Sequence, residues 1–282
     1  MHKRNTHLPL LWKLIRLPFF VYIGLLITVV LFENQFVFQP DSQTQNKMGV
    51  GLDQGRNRFI DVGNHKIHVL AIERKRPNCF ALYFHGNGGN IQNRTAILER
   101  LASELNITVL GVSYSGYGYS QGKPTEVQLH QDAEAALDYL LQHYDLKKTE
   151  VMVFGESLGG AVATRLASDH DLPLLGLDST FASLPQVASF HYPWLPIRFL
   201  MKNRFATEEY ARQYQGAVIQ THGTEDQVVP IANAQQLASQ FPNKGTHQFI
   251  IRKQGRHNEG PSDIYLYALE ETISRIFKTT TE

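Results

Sequence analysis

From residue 80 onward, short apolar runs alternate with longer amphipathic stretches. Phe80–Phe84, Thr108–Val112, Val151–Phe154, Leu174–Leu177, Ala217–Thr221 and His247–Ile251 each read as a buried strand, too short for a helix. Between them the period changes. Ile91–Leu105 carries Ile97, Leu101 and Leu105 four apart, and Pro124–Tyr144 carries Leu129, Ala133, Leu137, Leu140 and Tyr144 on one side. Ile231–Phe241 and Ile264–Phe277 also read as helices, flanking the last strand. Continuous apolar strands alternating with amphipathic helices predict an α/β domain with a mostly parallel, doubly wound sheet covered on both faces. Ahead of it, Phe59–Val62 and Lys66–Ile72 flank a Gly63-Asn64 turn and predict a β-hairpin, with His65 and His68 on its solvent face.

Two stretches depart from this rhythm. Leu17–Phe32 is sixteen residues without a charge, preceded by Lys3, Arg4, Lys13 and Arg16 and followed by Glu33. It is slightly short for a span, for which about 20 residues are usual, but Arg16 can snorkel and Asn34, Gln35 and Phe36 can sit at the interface. The basic residues before it predict a cytoplasmic N-terminus, with the rest of the chain on the other side. No small-x-small cleavage site follows, which favours a retained anchor over a removed leader. The expected organisation is a tail and transmembrane anchor over 1–38, a polar tether over 39–58, and one domain over 59–282. The second departure is Phe190–Tyr214, with His191-Tyr-Pro-Trp-Leu-Pro196 and Phe199-Leu-Met201. Two prolines and clustered aromatics between core strands read as a lid, bounded here at 185–214, that lines a substrate pocket. A packed loop of the core is the alternative.

Composition narrows the field. The 282 residues suffice for one large core, and 43% apolar with 19% charged residues excludes a disordered chain. A net charge of +1 gives no electrostatic footprint for nucleic acid. Cys79, the single cysteine, opens an apolar strand and reads as a core residue. The histidines have no metal-ligand spacing, and neither nucleotide-binding glycine pattern occurs, so no metal and no cofactor is expected.

The candidate chemistry begins at Gly155-Glu156-Ser157-Leu158-Gly159, a G-x-S-x-G sequence between a strand and a helix. A serine presented at the tip of a sheet sits on a sharp, strained turn, and glycines two positions either side make room for neighbouring backbone. A serine needs a base. His257, in the loop after the last strand, is in the position to reach it, whereas His222 lies too close to its own strand and reads as support for the next loop. The base needs a carboxylate to orient it. Asp226, beyond the Ala217–Thr221 strand, completes the order Ser157, Asp226, His257; Asp178 and Glu225 are rivals. Glu156 should point away from the base, and Asp132 reads as a solvated helix residue. An oxyanion hole would use the N–H of Leu158 and one from His85-Gly86-Asn87-Gly88-Gly89-Asn90, with Asn87 the favoured donor. Substrate contacts are expected from His85, Gly86, Tyr117 and Trp194.

These motifs, with Tyr114-Ser-Gly-Tyr-Gly-Tyr-Ser-Gln-Gly-Lys-Pro-Thr125, resemble the α/β-hydrolase superfamily, and within it the Bem46-like, membrane-anchored serine hydrolases, from about Phe59 to the C-terminus. The resemblance implies an α/β-hydrolase fold with a Ser157–Asp226–His257 triad. One departure is Ser115, where many relatives carry arginine. The expectation is a serine hydrolase of carboxylic esters or thioesters, on a small-molecule or lipid acyl substrate. A serine peptidase of the same fold, a non-catalytic membrane-tethered binding module, and an exported enzyme whose first segment is removed stay open.

Overall fold

A computed structural model describes residues 8–41, 55–242 and 246–277, with side chains from residue 16 onward. The elements in chain order are α1 (Leu8–Leu31), α2 (Glu33–Val37), β1 (Gln39–Pro40), β2 (Asn57–Val62), β3 (His65–Ile72), β4 (Phe80–Phe84), β5 (Gly88–Gly89), α3 (Thr95–Glu104), β6 (Thr108–Ser113), α4 (Glu126–Tyr144), β7 (Val151–Glu156), α5 (Leu158–Asp169), β8 (Leu174–Asp178), α6 (Leu184–His191), α7 (Ile197–Leu200), α8 (Thr207–Ala211), β9 (Ala217–Gly223), α9 (Ile231–Gln240), β10 (His247–Arg252) and α10 (Asp263–Phe277). Among the described residues an eight-stranded sheet runs β10-β9-β8-β7-β4-β6-β3-β2. The β2–β3 and β3–β6 pairs are antiparallel and the others parallel.

The continuous apolar runs follow from two cores, one on each face. In β7, Val151 and Val153 face one core while Met152 and Phe154 face the other. The first core also takes Leu129, Ala133 and Leu137 of α4 and Val162 and Leu166 of α5. The second takes Leu98 and Leu101 of α3 and Leu266, Leu269 and Ile273 of α10. A strand buried on both sides has no polar face to show, so alternation disappears from its sequence. Helix α4 starts at Glu126 rather than Pro124, because Thr125 caps it by accepting from the Gln128 N–H at 3.1 Å.

Several polar positions differ from expectation. His68 is fully buried, with Nε2 2.8 Å from Asn57 Oδ1 and its ring between Phe59 and Tyr119. Asp132 is also fully buried rather than solvated. It accepts from the Ser115 N–H at 2.6 Å, from Ser115 Oγ at 2.8 Å and from Gln128 Nε2 at 3.0 Å. Each is offset by a hydrogen-bonding partner distant enough in sequence to leave no local pattern.

The N-terminal region differs most. Helix α1 runs 24 residues, Leu8–Leu31, with Leu17, Phe19, Phe20, Val21, Leu25, Ile27 and Leu31 exposed. Among the described residues no helix is long and apolar enough to cross a membrane. The tether expected over 39–58 lies outside the described residues for 42–54. Its described beginning is not free: Gln39–Pro40 forms a parallel pair with Gly88–Gly89. Before it, the buried carboxylate of Glu33 accepts from the Lys202 N–H at 3.0 Å and the Asn203 N–H at 2.7 Å, and Phe38 packs edge-on against Phe205.

Candidate active site

Ser157 sits at φ 52° and ψ −117°, a left-handed conformation that a non-glycine residue adopts under strain. The flanking glycines show what enforces it. A Cβ on Gly155 would lie 2.4 Å from Gly160 Cα, and one on Gly159 would lie 2.1 Å from the Phe84 carbonyl oxygen. The turn therefore closes only without those side chains, and it delivers Ser157 to the tip of β7 and the start of α5.

Three side chains from three loops meet there. His257 Nε2 lies 2.9 Å from Ser157 Oγ, and His257 Nδ1 lies 2.7 Å from Asp226 Oδ2. The carboxylate only accepts, so Nδ1 carries the proton and Nε2 is left to receive one from Ser157. The other oxygen of Asp226 accepts from the Val228 and Val229 N–H groups at 2.9 and 2.8 Å. Burial works against ionisation of Asp226, yet the hydrogen bonds from His222 and His257 outweigh it and hold its pKa far below the usual carboxylate range. The β9 and β10 loops are tied to each other: the Thr224 N–H donates to the Arg252 carbonyl at 2.9 Å and the Glu225 N–H to the Gly255 carbonyl at 2.9 Å. His222 Nε2, fully buried, donates to the Val229 carbonyl at 2.8 Å and stands 3.2 Å from Asp226 Oδ2.

The rivals have other partners or none of the relay's contacts. Asp178 pairs with Arg252 Nη2 at 3.0 Å and accepts from Ser179 Oγ at 2.9 Å. Burial raises its pKa to about 6, against the pull of Arg252. Glu225 is exposed. Glu156 turns away from His257, accepting from Arg94 Nε and Nη2, both at 2.8 Å, and from the Tyr83 hydroxyl at 2.6 Å. Burial disfavours its charge, but Arg94 prevails and its pKa stays below the ordinary value.

On the other side of Ser157, Asn87 and Gly86 line the cavity. His85 does not: it is fully buried behind the loop against Tyr114 and Tyr117. Its Nδ1 lies 2.7 Å from the Gly86 carbonyl oxygen, so the ring donates there. Across a trans peptide the C=O and N–H point opposite ways. Drawing the Gly86 carbonyl back toward His85 therefore turns the Asn87 N–H away from that ring. Burial lowers the His85 pKa to about 4, which keeps the ring neutral and in this tautomer. Tyr117 is likewise a support rather than a contact, its hydroxyl donating to the Asn87 carbonyl at 2.7 Å. Leu158, the first residue of α5, presents its N–H at a helix N-terminus.

The cavity over Ser157 has a volume of about 700 Å³. Apolar walls come from Ile97, Leu101, Phe154, Val228 and Pro261, and polar ones from Asn93, Arg94 and Asn258. No residue of 185–214 lines it; the segment reaches its rim through His191, whose Nε2 lies 2.8 Å from the carbonyl oxygen of Val228. Trp194 is exposed, and its carbonyl accepts from the Tyr22 hydroxyl at 2.9 Å. The segment also meets the N-terminal elements, through Trp194 and through Lys202 and Asn203. Arg94, Tyr83 and Gln39 also line the cavity, and none lies in a catalytic motif of the sequence.

The family described as the alpha/beta hydrolase fold matches residues 82–205. The sheet order and the turn at Ser157 agree with that match. Residues 82–205 thus match the α/β-hydrolase family, and the chain is similar to Bem46-like proteins. It is 35% identical to Protein bem46 of Schizosaccharomyces pombe, over 57% of this chain and 56% of that protein. It is 30% identical to the alpha/beta hydrolase domain-containing protein WAV2 of Arabidopsis thaliana, over 53% of each. The chain thus matches about half the length of these relatives. Among solved α/β hydrolases, Est1E from Butyrivibrio proteoclasticus with ferulic acid bound superposes with a TM-score of 0.62 at 18% identity, covering 79% of this chain and 98% of that one. Mouse alpha/beta hydrolase domain-containing protein 10 gives 0.57 at 19% identity, covering 80% and 99%. At these identities the structural likeness is one of fold.

Proposed function

We propose that this α/β hydrolase is a serine hydrolase of carboxylic esters or thioesters. The observation that carries the reading is the continuous relay from Ser157 Oγ to His257 at 2.9 Å and from His257 to Asp226 at 2.7 Å. In this mechanism His257 Nε2 takes the Ser157 proton as Oγ attacks the acyl carbonyl. The Asn87 and Leu158 N–H groups receive the developing oxyanion, and Asp226 stabilises the imidazolium. The tetrahedral intermediate collapses with loss of the alcohol or thiol, which takes the proton from His257. Water, deprotonated by the same base, then releases the acid and restores Ser157.

A cavity of about 700 Å³ with both apolar and polar walls suits a small or medium acyl substrate. A panel of acyl esters and acyl thioesters of increasing chain length tests the reading. Turnover lost in Ser157→Ala supports it; no turnover of any ester or thioester by the folded chain counts against it. We further propose that α1 anchors the protein in a membrane, with the N-terminus cytoplasmic and the domain on the opposite side. The chargeless run Leu17–Phe32 and its preceding basic residues support this. Retention in the membrane pellet at alkaline pH is expected, and release into the supernatant would contradict it.

A further inference from the structure

The loop that would hold the oxyanion is not self-supporting. Between β4 and α3 the chain passes through Gly86, Asn87, Gly88 and Gly89, three of four residues being glycine. Glycine offers the backbone the most freedom and so the least intrinsic rigidity. A donor acts on a developing charge only if it is already oriented. The structure supplies that orientation from a remote part of the chain. The Gln39 N–H donates to the Asn87 carbonyl at 3.0 Å, and the Asp41 N–H donates to the Gly89 carbonyl at 3.1 Å. In return Asn87 Nδ2 donates to the Val37 carbonyl at 3.2 Å.

This strand pair is two residues long, too short to be held by its own ladder. Its hold comes from the residues just before it. Phe38 is buried edge-on against Phe205 at a ring separation of 6.2 Å. The Glu33 carboxylate accepts from Lys202 N, Asn203 N and Asn203 Nδ2, and the Asn34 side chain accepts from the same Asn203 amide at 2.8 Å. The segment from Glu33 to Asp41 is thus fastened at one end to 202–205 and at the other to the loop beside Ser157.

We infer that residues 33–41 form a strap that orients the oxyanion loop, with Gln39 a positioning residue acting through its backbone N–H on Asn87. The inference rests on the reading of Asn87 as an oxyanion donor. It makes residues 33–41, which follow α1 and are fixed to the domain at both ends, part of the catalytic apparatus. The arrangement also explains why Gln39, outside the domain that the sequence delimits, borders the cavity.

The decisive comparison is Gln39→Pro against Gln39→Ala in the full-length chain. Proline removes the N–H, and the extended Phe38 before it, at φ −105° and ψ 123°, accommodates it. Alanine keeps the N–H. The strap predicts a kcat about tenfold lower for Gln39→Pro than for Gln39→Ala, with KM within about twofold between the two. Affinity for a boronic acid, which forms a tetrahedral adduct on serine, should fall in parallel. Asp41→Pro, which removes the neighbouring donor without touching the core, should lower kcat in the same way and carries the test if Gln39→Pro does not fold. Equal kcat and equal boronate affinity in the two Gln39 variants would overturn the strap. Amide hydrogen exchange over residues 85–91 reads the clamp without turnover: faster exchange in Gln39→Pro than in Gln39→Ala supports it, and equal exchange contradicts it. A wild-type chain that hydrolyses nothing counts against the hydrolase reading, and exchange then decides the strap alone.

Discussion

Ser157 is flanked by two structures of different character. On one side, Asp226 and His257 stand on loops that leave the ends of β9 and β10, neighbouring strands in register over six pairs of residues. Those loops are tied to each other and to the sheet, and each side chain has its partners within the same neighbourhood. On the other side, the glycine-rich loop after β4 takes its shape from His85 and Tyr117 behind it and from the segment 33–41 beside it. The acid–base side is built from local order. The oxyanion side is assembled from distant pieces. In the proposed mechanism the relay is therefore robust to perturbation of the periphery, and the proposed oxyanion donors are the part that peripheral changes reach.

Breaking the relay should give the largest effects. Ser157→Ala is expected to reduce kcat by about 10⁶-fold, to the level of the fold without a nucleophile. Asp226→Asn should cost about 10⁴-fold in kcat, since an amide disrupts the orientation and tautomer of His257, while the domain stays folded. Steady-state kinetics on one activated ester checks both, and an Asp226→Asn variant within about tenfold of wild type would remove Asp226 from the relay.

Asp178 sharpens the comparison, because it ends a strand close to Ser157 yet faces Arg252. Asp178→Asn should lower stability by about 3 kcal/mol by leaving a buried guanidinium without its carboxylate, while kcat of the folded fraction stays within about tenfold. Denaturant unfolding with active-site titration separates the two effects. The reverse pattern, full stability with lost turnover, would transfer the acid's role to Asp178.

Acid should weaken the fold through the histidines that support it. Burial lowers the pKa values of His68 and His85 to about 4 and that of His130 to about 3. In the unfolded chain these residues take up protons near pH ~6.5. Between pH ~6.5 and ~4 the unfolded state then binds more protons than the folded one, so their contribution to stability declines as pH falls. Asp178, raised to about 6, acts oppositely, binding its proton in the folded state first. Burial also raises the pKa values of Asp132 and Glu126, which act with Asp178, but the three histidines lose more over this interval and predict a Tm that falls from pH 7 to pH 5. A Tm that rises over that interval would contradict the balance.

The smallest effect belongs to the segment once expected to be a lid. Trp194→Ala should leave kcat and chain-length preference within about twofold of wild type, because the side chain lies outside the cavity. A larger change in chain-length preference would return that segment to the site.

How much of this the sequence discloses follows the same division. The strands, the hairpin and the order Ser157, Asp226, His257 are legible because an apolar run ends, a loop follows, and the reactive residue lies within it. Asp132 and His68 are not, because what makes their burial tolerable is Ser115 in one case and Asn57 in the other, across the fold. Trp194 reads as pocket-lining only until the N-terminal segment is in place to hold its carbonyl. The strap leaves no trace at all. A two-residue pairing has no period, and its donors are backbone N–H groups that any residue but proline would supply.

The central claim is that Ser157 is activated by His257 and Asp226. Its most direct test is labelling of the full-length protein with a fluorophosphonate probe, comparing wild type with Ser157→Ala, His257→Ala and Asp226→Asn. The account predicts rapid labelling of wild type, none in Ser157→Ala, and strongly slowed labelling in the other two. A folded wild-type protein that does not label, or labelling that persists in Ser157→Ala, would contradict it.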